Sequence, residues 1–329
     1  MKLPFSKNHQ NNKPEYKAFF LSGGSAVWSN NNYQSFAGEG YIKNVIAHRC
    51  INTLASAASF VSFKLFSTKN EGKEEILKHP LLSLLKKPNR FTSTFEFFES
   101  IYSYKLISGN AYIKVVNSKG KPYEFTVLRP DRVMVLTDTN DEICGYRVKT
   151  SMGEKDYHFN QISEKCDVLH IKSFHPLNDY YGLSSVECAR FAIDQHNEAS
   201  SYAKALLQNS ARPSGALIVK SNEHNGGSLT ESQFVRLKDQ LQDEFSGVSN
   251  TGRPILLEGG LEWKEMSVRP RDMDFMENKH SASREIALAF GVPPQLLGIP
   301  GDNTYNNMME ARIAMWEQAI IPMMVDVFS

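Results

Sequence analysis

The sequence predicts an α+β chain assembled in consecutive blocks. Three observations carry that reading. Apolar residues recur at helical spacing up to about residue 108. Short segments of period two then run from Tyr112 to Ile171. Two further helical stretches, 184–208 and 272–290, bracket a small insert. Strands that follow one another without intervening helices suit an antiparallel meander, not alternating βαβ units.

Composition bounds the function. The chain has 329 residues, enough for two or three subdomains. Hydrophobic content of 41% and charge of 22% are those of a soluble globular protein. A net charge of +1 argues against wholesale wrapping of nucleic acid, although a neutral total can hide a local patch. No apolar run reaches the ~18 residues of a membrane span. The start, MKLPFSKNHQNNKPEYK, lacks the apolar core of a secretory signal. Cys50, Cys144, Cys166 and Cys188 form no CxxC pair and read as buried free thiols, and the histidines form no HExxH. There is no P-loop, no GxGxxG after a strand and no GxSxG.

Taken in order, residues 1–37 are polar and read as a disordered arm. From Tyr41, apolar Ile42, Val45, Ile46, Cys50 and Leu54 predict a helix, and the alternation of Val61, Phe63 and Leu65 predicts a strand to Phe66. His79–Asn89 predicts a short leucine-rich helix. Ser93-Thr-Phe-Glu96 is a capping box that opens a helix ending at Gly109. The period-two segments begin at Tyr112, Tyr123, Arg132, Gly145, Asp156 and Val168, with turns around Gly120, Pro130 and Asn140. Ser184-Ser-Val-Glu187 is a second capping box. Its helix reaches about Gln208, ~36 Å at 1.5 Å per residue. The inner face is a narrow seam of Val186, Ala189, Ile193, Ser200, Ala203 and Leu207, too thin for a monomer's core helix. The insert reads as βαββ: a strand at 214–219, a helix opened by Thr230, and a hairpin of 254–258 with 261–266. A helix over 272–290 stops at Gly291, because Pro293 and Pro294 forbid continuation. After a Gly/Pro/Asn loop, a last helix runs from about Asn307, with Pro322 as a kink.

Candidate chemistry is sparse. Asp272 and Asp274 are two apart and do not share a helix face, so with Glu277 and Glu285 they read as a solvated acidic surface. Asp302-Asn303-Thr304 is a loop cluster with two readings, a cation site and, more simply, a solvated turn. Arg253, Lys264, Arg269 and Arg271 bracket the insert, either as a solvated rim or as a contact for phosphates.

The motifs resemble those of the portal proteins of tailed bacteriophages, in the branch of long-tailed phages and related prophages. The matching features are spread over nearly the whole chain: Val45–Phe66, His79-Pro80-Leu81 with Leu84-Leu85 and Pro88-Asn89, Gly109-Asn110-Ala111-Tyr112, Leu128-Arg129-Pro130 with Val133, Tyr181-Gly182-Leu183-Ser184, and Ile286-Ala-Leu-Ala-Phe-Gly-Val-Pro-Pro-Gln-Leu-Leu-Gly298. The last is the most specific.

The resemblance implies a portal-like fold. Residues 38–183 correspond to an α+β wing, 184–212 to a first stem helix and 213–268 to a small βαββ clip. Residues 269–291 correspond to a second stem helix, 292–306 to a tunnel loop, and 307–329 to a kinked helix. Family members usually continue from that helix into a crown, which is expected to be missing here. The resemblance also implies a homo-oligomeric ring, typically of twelve subunits, at one capsid vertex, with double-stranded DNA passing through its axis. Gln295, Asp302, Asn303 and Asn306 would lie on the channel side. Arg253, Trp263, Lys264, Arg269 and Arg271 of the clip would meet the packaging terminase large subunit and later the head–tail connector. Major capsid and scaffold proteins are further implied partners. The implied place is the virion, with the bacterial cytoplasm during assembly. No catalytic role, metal, cofactor or membrane is implied. Two other readings stay open on the residues alone: an α+β enzyme with a helical lid, and a monomeric adaptor whose insert binds protein.

Overall fold

The computed structural model describes residues 28–67, 74–118, 120–160, 165–208, 215–219, 235, 261–265, 275–299 and 305–328. Among these residues the α+β prediction holds.

Folded structure starts ten residues earlier than the sequence suggests. Residues 28–37 are not a loose arm. Helix α1 (Tyr33–Ser35) runs into a π-helix, Phe36–Lys43, and Phe36 is buried. Asn44 then caps α2 (Val45–Ser59). The buried face of α2 is Ala47, Cys50, Ile51, Leu54, Ala55 and Ala58, whereas Ile42 and Val45 are exposed. Alanine lets the neighbouring helix approach closely, so small residues do the packing here. The predicted strand at 61–66 shrinks to β1 (Phe66–Ser67), which pairs with β2 (Glu74–Glu75). Residues 61–65 keep alternating exposure, but among the described residues no strand pairs with them.

Helix α3 (Pro80–Lys86) has proline in its first turn and a His79 cap. Helix α4 (Thr94–Ser108) carries the capping box in full: Ser93 Oγ accepts from Glu96 N, and Glu96 reaches back to Ser93 N at 2.8 Å. It ends at Gly109 in the left-handed region, φ +73°. Helix α4 packs on α2 to form the main core, with Phe97, Phe98, Ile101 and Tyr102 all buried.

The expected meander is two antiparallel sheets. One has the order β4 (Lys121–Leu128), β3 (Asn110–Ser118), β8 (Val168–Lys172). The other is β5 (Val133–Thr137), β6 (Ile143–Thr150), β7 (Gly153–His158). The last strand returns to pair with the first, Tyr112 opposite His170. Along β3, Ala111 and Ile113 face the helical core. Tyr112 faces the second sheet and, with Val168 of β8, packs on Val133, Tyr146 and Val148 there.

The long helix after Ser184 breaks once, at Ala189, into α5 (Ser185–Cys188) and α6 (Arg190–Gln208). Strand β9 (Gly215–Val219) follows, and β10 (Leu261–Glu265) pairs with it antiparallel. The expected partner of β10, 254–258, and the insert's helix apart from Val235 lie outside the described residues. Helix α7 (Phe275–Ala289) ends as predicted at Gly291, φ +66°, where Val292 N donates to Ala287 O at 2.9 Å. Pro294 opens a 3-10 turn, Pro294–Leu297. The last helix is continuous but not uniform. Helix α8 (Tyr305–Met315) widens into a π-turn, Trp316–Ile320, before α9 (Ile321–Phe328). Pro322 cannot donate to the carbonyl one turn back and its ring crowds that group, so the irregularity falls in the turn just before it.

Candidate functional site: the stem and its base

Helices α6 and α7 pack together and run antiparallel. The start of the pair, α5, lies against α7, and Val186, Ile193, Ile286 and Phe290 share one core. Further along α6, His196 feels the charge of Lys279, which lies toward the start of α7. The predicted seam is buried at Val186, Ala189 and Ile193 and half-buried at Ser200, but Ala203 is exposed. Ala192 and His196 complete the buried face, and every residue from Ser201 to Ala205 is exposed. The helix is therefore rooted in the core up to about Ser200 and exposed from Ser201 to Ala205.

A buried polar knot fixes the root. Asn44 Oδ1 accepts from Ile46 N and Ala47 N, capping α2. Its amide donates to Asn197 Oδ1 at 3.0 Å and lies 3.3 Å from His196 Nδ1. Asn197 Nδ2 donates onward to Glu39 O at 3.0 Å. Asn44 is fully buried. An uncapped helix start and an orphaned side-chain amide are both costly, and one residue here satisfies both needs. Burial holds His196 below the usual imidazole range, and Lys279 pushes in the same direction.

The segment before α1 straps the outside of the same helix. Trp28 meets Phe191 edge-on at 4.7 Å, Ser29 donates twice to Asp194 Oδ2, and Asn31 donates to Glu187 Oε1.

The stem leaves the sheet at a close crossing of two backbone segments. The chain at Gly182 lies against the chain at Gly109, so closely that a Cβ on Gly182 would also sit 2.6 Å from Ser173 N and 2.8 Å from Ser173 O. Asn110 clamps the crossing. Its Oδ1 accepts from Gly182 N at 2.8 Å and faces His170 Nε2 at 3.0 Å, and its Nδ2 donates to Ser108 O. His170 stacks on Tyr112 at 4.3 Å, and burial first, then Lys172, pulls its pKa down to about 4. The segments Gly109-Asn110 and Tyr181-Gly182, each explicable alone as a cap or a turn, are two halves of one joint.

Of the expected channel residues, Gln295 lies in the 3-10 turn beside the stem. Its side-chain carbonyl is buried and, among the described residues, meets no hydrogen-bond donor. Asn306 lies in the first turn of α8. Asp302 and Asn303 lie outside the described residues. Of the expected clip residues, Trp263 and Lys264 lie on β10, opposite Leu217 and Ala216. Arg253, Arg269 and Arg271 lie outside. Glu277 and Glu285 are exposed on α7, as a solvated acidic face requires, and Lys86, Lys87 and Arg90 are exposed. Of the cysteines only Cys50 is buried, and Cys188 is exposed rather than buried as expected. Among the described residues no group of His, Cys, Asp and Glu could hold a metal ion, and no helix is long and apolar enough to cross a membrane.

Sequence reasoning missed the Asn44 knot and the ion pair between Lys105, almost fully buried on α4, and Asp326 on α9. An Asn directly before an apolar helical run was a legible cap signal. Its tie to His196 was not, because 152 residues separate them.

Comparison with known proteins agrees with this architecture. A sequence profile described as "Phage portal protein" matches residues 46–327. An uncharacterized protein of Rickettsia bellii is 48% identical over 286 residues, covering 87% of this chain and 72% of that one. The portal protein of Enterobacteria phage HK97 is 25% identical over 254 residues, covering 76% of this chain and 56% of its own length. Among solved structures, a chain from the neck of a native gene transfer agent particle, computed with C12 symmetry, is 38% identical. It superposes with a TM-score of 0.65 over 93% of this chain and 81% of that one. An α+β body with a pair of antiparallel helices is thus shared with a portal-type fold. The chain belongs to the phage portal protein family.

Proposed function

We propose that the chain is the subunit of a ring, of twelve copies, at one vertex of a capsid, and that double-stranded DNA enters and leaves through its axis. In this reading the body of 38–183 is the wing and α6 with α7 is the stem. Strands β9 and β10 belong to the clip, the segment 292–306 faces the channel, and α8–α9 lead outward. The stem carries the reading. Its two helices are rooted in one subunit's core and then project with exposed sides, which suits packing against further copies. Identical subunits joined head to tail close into rings. The 38% identity to a chain of a particle neck computed with C12 symmetry supports the subunit number.

The role is mechanical, not catalytic, and uses no cofactor. A channel that passes DNA must not grip it, because each phosphate contact adds salt-dependent affinity that slows sliding. A chain of net charge +1, with Gln295, Asp302, Asn303 and Asn306 toward the axis, suits that need. The clip residues Arg253, Trp263, Lys264, Arg269 and Arg271 would meet the terminase large subunit during packaging and the head–tail connector afterwards. Capsid and scaffold proteins would surround the wing. The site of action is the virion, after assembly in the bacterial cytoplasm. Particle images test the reading: rings with a central hole are expected, and a chain that stays single at all concentrations overturns it.

A further inference from the structure

The last helix is apolar on two faces. Ala311, Met315 and Ile320 are buried against the core. Another face carries Met309, Ile313, Trp316, Ile321, Val325 and Phe328, which are 65%, 53%, 37%, 49%, 62% and 48% exposed. Residues four or three apart share a face of an α-helix, but Trp316 and Ile321 are five apart. They align because the π-turn Trp316–Ile320 lies between them, and a π-helix brings i and i+5 together. The same turn aligns Met315 with Ile320 on the buried side. One irregular turn therefore keeps both stripes continuous through the whole helix.

Phe328 meets Phe63 at 4.7 Å, and between α9 and residues 61–64 lies an apolar groove of about 410 Å³. Among the described residues, no backbone hydrogen bond holds Ser62, Phe63 or Lys64. One wall of the groove is thus an extended segment outside any strand, with its backbone groups at Ser62–Lys64 unpaired among the described residues.

We propose that this outer stripe, with the groove beside it, is a contact surface for the neighbouring copy of this chain in the ring; the inference rests on the function proposed above. At ~150–200 Å² per large side chain, half exposure of six residues leaves ~500 Å² of apolar surface. That is more than half of the ~800 Å² each partner buries in a stable interface, and at the upper end of what a lone subunit shows water. The unpaired backbone at 62–64 selects a polypeptide over a lipid, because a chain supplies donors and acceptors to match it, and the apolar stripe disfavours a charged nucleic-acid backbone. In a closed ring every subunit must bury such a surface on its flank.

The test uses the full chain. Val325→Asp and Ile321→Asp place a charge on the stripe, and Met152→Asp is the control at a fully exposed position in the β6–β7 turn. Light-scattering mass and circular dichroism are read together. The wild type and Met152→Asp are expected as rings. The stripe variants are expected to fall to the 37.2 kDa mass of one copy with unchanged helical signal. As a check independent of charge, Val325→Cys is labelled with a maleimide in assembled rings, and labelling at that position is mapped by mass spectrometry. About tenfold slower labelling than at Met152→Cys is expected. Stripe variants that still form rings, or a position 325 that labels as fast as 152, overturn the proposal while leaving the ring itself intact. A wild type that never forms rings overturns both readings.

Discussion

Replacing Gly182 with alanine tests whether the Gly109–Gly182 crossing holds the stem to the sheet. The new methyl would press on the Gly109 carbonyl and lie 2.6 Å from Ser173 N and 2.8 Å from Ser173 O. All three are backbone atoms of elements that are paired elsewhere, so none can swing aside. Overpacking of this kind costs about 1–3 kcal/mol. Two short hydrogen bonds lie at the crossing, Gly182 N to Asn110 Oδ1 at 2.8 Å and Ser173 N to Gly109 O at 2.8 Å, beside a longer one from Asn110 Nδ2 to Gly182 O at 3.4 Å; the two short ones are the ones the methyl displaces. Losing them adds about 1 kcal/mol each. The total of about 3–5 kcal/mol corresponds to a melting shift of about 10 °C for a unit of this size. Gly120→Ala is the comparison: φ is +74° but no atom lies within 4 Å, so only the left-handed strain of about 1 kcal/mol is expected. Both variants are melted by differential scanning fluorimetry at one protein concentration, since assembly raises apparent stability. A Gly182→Ala protein that melts within about 2 °C of Gly120→Ala would refute the argument from crowding.

Three further outcomes follow from the same geometry. Asn44→Ala removes a helix cap and strands the partners in α6, so a loss of about 2–4 kcal/mol is expected, read as a lower melting temperature and faster amide exchange at the start of α2. Asp326→Ala leaves the Lys105 ammonium buried and alone and should destabilise by about 2–4 kcal/mol, whereas Lys105→Met, which removes the charge, should be near neutral; equal effects in the two melts would count against the ion-pair account. His170 is held at about 4 against an ordinary 6.5, so the unfolded chain takes up its proton first. Stability should therefore fall as pH drops from about 6.5 to about 4 and flatten below, and His170→Gln should remove part of that slope in a melting series against pH.

The legible parts of the fold were those decided by neighbouring residues. Ser93 and Glu96 announce their helix because a capping box is three residues of chemistry. Gly109 and Gly291 announce helix ends because only the left-handed backbone closes them cheaply. Pairing over distance was not legible. The alternation at 61–66 looks like a strand, yet a strand needs a partner, and only Phe66 and Ser67 have one within the described residues. Strand β8 returning to β3 splits the meander, and nothing in the period of either segment says so. Ile42 and Val45 share the helical spacing of the apolar residues yet are exposed, because alanines occupy the face that α4 approaches. At the stem, the first half of the seam was read correctly. The anchoring residues were missed because Asn44, His196 and Asn197 have meaning only once folding brings them together.

Helix α6, exposed from Ser201 to Ala205, is tied to the core at Asn197. From there to Gln208 the helix rises ~16 Å at 1.5 Å per residue, so a tilt of ~5° at the root sweeps its far end by ~1.5 Å. With the polar knot as its fulcrum, a small rotation of α6 would be enlarged at the helix's far end. A load on that end would pass through Asn44 into the start of α2, because Asn44 bonds both Asn197 and the first turn of α2.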